Sequence, residues 1–198
     1  CLLSRGLGDV YKRQVMGSLD IPKIGVELPI YHGTSEEVLS KGIGHLQGSS
    51  LPVGGESTHS ILTGHRGLPQ SKLLTRLDEL EKGDYFFFHV LDETLAYQVT
   101  EIQVVKPEEV SVLKIQEGQD LASIITCTPY GLNTHRLIVT GKRVPYEAKQ
   151  ANSMGEELPS ARELVFTLLP FAFLLLFLLY IWRERRRTIN EAKYDDKI

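Results

Sequence analysis

The sequence predicts a mainly β fold, a closed or nearly closed β-barrel with short helices, followed by one C-terminal transmembrane helix. Three observations predict it. Short β-branched and aromatic runs recur along the chain between Gly, Pro, Asn and Asp residues, the pattern of many short strands. Apolar residues at helical spacing occupy only brief stretches. An uncharged run from Leu164 to Trp182 ends on Arg183, Arg185, Arg186 and Arg187.

Composition fits one globular domain plus extras: of 198 residues, 42% are hydrophobic and 24% charged, enough for a proper core. A net charge of -3 carries no electrostatic footprint for nucleic acid. Residues 1–14 lack the apolar periodicity that begins near Leu19 and read as a non-native or disordered segment, outside fold reasoning. Residues 15–145 read as the barrel domain, 146–163 as a polar linker, 164–182 as the membrane helix and 183–198 as a basic cytoplasmic tail.

From Leu19 to Tyr31, apolar Ile21, Ile24, Val26, Leu28 and Ile30 are broken by Pro22, Gly25 and Pro29, giving two short strands. Thr34 and Glu37 have capping-box spacing, so a short helix is expected to start there. Gly42 to Gly55, rich in Gly, Ser and Pro, reads as loop. Ser60 to Thr63 is a strand ending in Gly64-His65-Arg66-Gly67, whose glycines allow close backbone approach. Leu73, Leu74, Leu77 and Leu80 have helical spacing within Lys72 to Leu80. Tyr85 to Val90 and Leu95 to Val105 are strands joined by a hairpin turn at Asp92-Glu93. Glu108 to Leu113 suits a short helix in a connecting segment. The pairs Glu36-Glu37 and Glu108-Glu109 read as solvated faces.

Leu121 to Thr126 and Leu137 to Val139 are two further strands. Pro129, Gly131 and Asn133 between them close an antiparallel pair. That pairing sets Cys127, at the end of one strand, against Arg136, at the start of the next, with Cβ atoms about 5 Å apart. A guanidinium that close favours a thiolate, or stabilises the oxyanion formed when a thiolate attacks a carbonyl. Of two cysteines, Cys1 falls in the excluded segment, so Cys127 is the only thiol in the body of the protein. By itself an isolated Cys at a strand end reads as a buried small hydrophobe; the His and Arg motifs around it reverse that reading.

Six histidines compete for attention. His65 sits at a strand end between glycines, where loops carry function. His135, next to Arg136, points to the opposite face of its strand. His89 falls inside a strand, and His32 and His45 lie near loops with no partner motif. A zinc site built from Cys127 with His59, His65 or His135 lacks the paired spacings of structural zinc sites. No cofactor is implied.

Three motifs, in order, resemble those of sortases. Ser123-Ile124-Ile125-Thr126-Cys127 resembles their Thr-Leu-x-Thr-Cys signature, with Ser and Ile at the first two places. Asn133-Thr134-His135-Arg136-Leu137-x-Val139 resembles their arginine strand, and Leu62-Thr63-Gly64-His65-Arg66-Gly67 their histidine motif. The resemblance covers Leu19 to Arg143 and the C-terminal anchor, and fits best the class C, pilus-assembling group of Gram-positive bacteria. It implies a sortase-like closed eight-stranded barrel, a strand count that pattern alone does not supply, with His65, Cys127 and Arg136 as catalytic residues. It also implies a cysteine transpeptidase that cleaves an LPXTG-like sorting signal between Thr and Gly. Cys127 attacks the carbonyl, His65 protonates the departing amine, and Arg136 stabilises the oxyanion or positions the peptide. An amine then resolves the acyl-enzyme. In class C relatives that amine is a lysine of a second pilin subunit, so the implied partners are pilin or surface-protein substrates. Sortases of this class usually begin with a membrane anchor and a lid bearing an Asp-Pro-aromatic motif. Neither is visible, so the chain is expected to lack its N-terminal part.

The nineteen residues from Leu164 to Trp182 would span roughly 28 Å as a helix, close to the hydrocarbon thickness. Pro170 is tolerated in such helices. The arginines after it place that end in the cytoplasm and the catalytic domain outside the cell membrane. Rival readings are a housekeeping-type sortase attaching proteins to cell-wall precursor, a papain-like cysteine peptidase, and a non-catalytic membrane-tethered binding module. The C-terminal span counts against the first. The second wants its Cys at a helix start, whereas Cys127 ends a strand and precedes Thr128-Pro129. The third needs Cys127 to be inert.

Overall fold

The computed structural model describes residues 14–66, 73–147, 165 and 168–183. The chain divides into two units, Cys1–Glu157 and Leu158–Ile198. Among the described residues of the first lie eight strands: β1 (Val15–Ile21), β2 (Val26–His32), β3 (Ile43–His45), β4 (Thr58–Thr63), β5 (Tyr85–Val90), β6 (Glu93–Val105), β7 (Asp120–Thr128) and β8 (His135–Val144). They close in the order β1-β2-β3-β4-β7-β8-β6-β5, with β5 pairing back onto β1. This is the closed eight-stranded barrel that the sortase resemblance implies. The β2–β3 and β4–β7 pairs are parallel and the others antiparallel.

Period-2 alternation divides each strand between two faces. Leu62, Ile124, Val139 and Leu137 join Leu19, Ile30, Phe86, Phe88 and Tyr97 in the barrel interior. The intervening residues Ile61, Ile125 and Ile138 form a second cluster, packed against Val112 and Leu113 of the β6–β7 connection. The strand β7 is therefore buried on both faces over Leu121–Thr126 and emerges at its start, Asp120, and at its end, Cys127 and Thr128.

Several expected elements take a different form. The Gly- and Ser-rich stretch holds β3, because Ile43 and its neighbours bridge β2 to β4. The Thr34–Glu37 capping box does not form. Ser35 is the N-cap of α1 (Glu36–Leu39), without a side-chain cap bond, and Glu37 pairs with Lys41 at 3.2 Å. Leu73, Leu74, Leu77 and Leu80 are all buried as their spacing requires, but the chain meets that demand with turns and a 3-10 helix at Leu77–Glu79. Glu108 to Leu113 likewise yields only a 3-10 turn at Ser111–Leu113. Val90 pairs with Glu93, so the β5–β6 turn centres on Leu91 and Asp92, with Leu91 at φ 54°.

In the second unit, residues 168–183 are helical with largely exposed side chains. Among the described residues no helix is long and apolar enough to cross a membrane. Residues 164, 166 and 167 of the expected span lie outside the described residues. So do the expected N-terminal segment, linker and tail, apart from residues 14, 146, 147 and 183.

Candidate active site

The site forms where the outer face of β4, β7 and β8 comes out from under the β6–β7 connection. Cys127 pairs directly with Arg136 across the β7–β8 ladder, in the register expected from the sequence. On the other side β7 runs parallel to β4, with Thr63 opposite Ile125. Continuing that register by two residues brings His65 level with Cys127. Two hydrogen bonds extend the pairing past the ladder: Gly64 N–H donates to the Ile125 carbonyl (3.1 Å), and the Thr126 hydroxyl donates to the Gly64 carbonyl (2.9 Å). A Cβ on Gly64 would sit 2.9 Å from Leu74 Cδ1, so a side chain there would require Leu74 to shift.

The three candidate residues lie together without a bond among them. Cys127 is half-buried and free. His65 donates Nε2–H to the Glu36 carboxylate, 3.1 and 3.3 Å from its two oxygens. Its Nδ1 has no hydrogen-bond partner among the described residues. Arg136 Nη1 donates to the carbonyls of Asn133 (3.1 Å) and His135 (3.0 Å), which lays the guanidinium along its own loop. That loop is tight: Leu132 and Asn133 both donate N–H to the Pro129 carbonyl, and Asn133 sits at φ 57°. Among the described residues no carboxylate pairs with Arg136, so its charge is available to a developing anion.

Two supports of the site escape sequence reading. Glu36, expected on a solvated face, contacts His65 from α1, 29 residues away; nothing local signals that pairing. Arg66 stands inside the histidine motif, yet the motif alone gives it no role. Its side chain is only 7% exposed, 2.7 Å from Asp78 Oδ2. It also donates Nη1–H to the Thr128 hydroxyl at 3.0 Å.

A buried polar line underlies the same face. His59 Nδ1–H donates to the Lys114 carbonyl (3.0 Å), which leaves Nε2 to accept from the Ser123 hydroxyl (2.7 Å). The Thr140 hydroxyl completes the line, 2.7 Å from Ser123. Burial holds the His59 imidazole below its ordinary value, so it is kept neutral. Ser123 is one of the two places where the sequence differs from the sortase signature, and its hydroxyl serves this network.

Comparisons agree with the geometry. Residues 19–144 match the Sortase domain family. Sortase D of Bacillus subtilis is 34% identical over 134 residues, which are 66% of this chain and 65% of that protein. Sortase A of Staphylococcus aureus is 32% identical over 127 residues, 62% of this chain and 60% of that protein. The chain thus spans less than two thirds of either relative's length. Among solved structures, sortase C of Streptococcus pneumoniae, described in connection with pilin substrate specificity, is 52% identical with a TM-score of 0.68, covering 71% of this chain and 74% of that one. Sortase C-1 of Actinomyces oris is 52% identical with a TM-score of 0.67, covering 70% and 82%. With the barrel, the Cys127–Arg136 pairing and the matched residues in agreement, the chain belongs to the sortase family, and its structural neighbours at about half identity are class C members.

Proposed function

We propose that this sortase is a cysteine transpeptidase that cleaves an LPXTG-like sorting signal between Thr and Gly and passes the acyl group to an amine, a lysine of a pilin subunit. The observation that carries the reading is the row made by His65, Cys127 and Arg136 at the open end of β7. The Cys127 thiolate, its proton held by His65, attacks the threonine carbonyl carbon, and Arg136 turns N–H groups to the oxyanion. The C–N bond breaks, and His65 gives its proton to the departing glycine amine. The Cys127 thioester is then opened by the lysine Nζ, whose proton returns to His65, forming an isopeptide bond and freeing the thiolate. With Nε2–H held on Glu36, Nδ1 is the nitrogen that exchanges this proton. The helical segment 168–183, rich in exposed Leu and Phe, together with Arg183, Arg185, Arg186 and Arg187 in the sequence, supports the expected span 164–182 as a membrane anchor with the barrel outside the cell.

The test is to incubate the full chain in detergent with an LPXTG-type peptide and hydroxylamine. A threonine hydroxamate is expected. Cys127→Ala is expected to abolish it, and Arg136→Ala to reduce it by about 10²-fold or more, the scale of removing an oxyanion donor. Hydrolysis indifferent to added amine would establish a peptidase instead. Transfer to a cell-wall precursor amine in preference to a pilin lysine would establish the housekeeping role.

A further inference from the structure

We infer that Arg66 is a positioning residue that fixes His65 against Cys127, an inference that rests on the transpeptidase reading. Arg66 directly follows His65 in the chain. Its guanidinium reaches Thr128, which directly follows Cys127, and Nη1 donates to that hydroxyl at 3.0 Å. Nη2 lies 2.7 Å from Asp78 Oδ2, on the 3-10 helix Leu77–Glu79 that leads towards β5. One planar group therefore ties together the histidine loop, the end of the cysteine strand and the segment below them.

Three features separate this from an incidental surface pair. The Arg66 side chain is only 7% exposed, so its charge needs the partners it has. The regular β4–β7 ladder stops at Thr63 and Ile125, before either catalytic residue. Beyond that point the two segments are held by the Gly64 and Thr126 hydrogen bonds and by Arg66. The fork geometry also matters: a lysine keeps the charge but is a point donor and does not span Thr128 and Asp78 together. Proton transfer between His65 and the thiol depends on that spacing, and a displacement of about 1 Å at such a site costs about 10²-fold in rate.

The experiment measures Cys127 alkylation by iodoacetamide in the full chain, with hydroxylaminolysis of an LPXTG-type peptide in parallel. The variants are Thr128→Val, which deletes only the acceptor hydroxyl, Arg66→Lys and Arg66→Met. In the wild type, His65→Ala is expected to change the alkylation rate. In Thr128→Val and Arg66→Met backgrounds that His65 dependence is expected to shrink several-fold, with kcat falling by about 10-fold or more while KM stays within about twofold. Combining Thr128→Val with Arg66→Met is expected to cost no more than Arg66→Met alone, because both remove one link. Undiminished His65 dependence and unchanged kcat in Thr128→Val and Arg66→Lys, both folded by melting curve, would overturn the inference. If no variant or wild type forms hydroxamate yet the alkylation coupling responds as stated, the transpeptidase reading fails and the positioning role stands.

Discussion

Glu36 shows how a residue's role is set by where the fold delivers it. Its carboxylate is on a one-turn helix after β2, is largely exposed, and reaches His65 Nε2 at 3.1 Å. An exposed pair of this kind is worth at most about 1 kcal/mol, because water screens it. Its contribution is to fix which imidazole nitrogen carries the proton. Glu36→Gln is expected to lower kcat/KM for hydroxylaminolysis by about 2- to 5-fold, consistent with that energy. Glu36→Asp, whose shorter arm retracts the carboxylate, should behave likewise. A loss of several hundred-fold in Glu36→Gln would assign Glu36 a direct part in proton transfer, and no loss at all would make the pair incidental.

At the scale of elements, closure of the barrel depends on a glycine that pattern reading passes over. Gly17 lies in β1 where it meets β5, and a Cβ there would sit 2.3 Å from the His89 carbonyl oxygen and 2.7 Å from Val90 Cγ2. The first obstacle is backbone and cannot swing aside. Gly17→Ala is expected to destabilise the barrel by about 1–3 kcal/mol, as overpacking does, and urea midpoints would measure it. The same scale shows which elements are legible in the sequence. Tyr85–Val90 and the Cys127–Arg136 pairing are readable because aromatic or β-branched runs and turn residues are local signals. β3 is not, because three residues among glycines and serines become a strand only when β2 and β4 flank them. The leucines from Leu73 to Leu80 announce burial correctly, yet spacing does not fix the hydrogen-bond pattern, and the stretch forms turns. Arg66 and Glu36 escape for one reason: their partners come from distant segments.

For the molecule as a whole, the buried histidines couple the barrel's stability to pH. Burial lowers the affinity of both His45 and His59 for a proton, so each stays neutral in the folded chain. The unfolded chain, with ordinary imidazoles near about 6.5, then binds more protons than the folded one as pH drops below that value. Their contribution to stability is therefore fully present above about pH 6.5 and is lost progressively as pH falls towards the lower folded values. Asp20 works in the opposite sense at more acid pH. Its carboxyl is pushed up by burial, only partly offset by His89, so protonation there relieves the folded state. The melting temperature is expected to fall from pH 7.5 to 5.5, by roughly 2–8 °C for each kcal/mol lost. His59→Gln, which still offers an amide to Lys114 and Ser123 but does not titrate, is expected to melt lower at pH 7.5 and to show a shallower decline. Parallel melting curves for the two proteins across that interval would show that the pH dependence arises outside the His59–Ser123–Thr140 line.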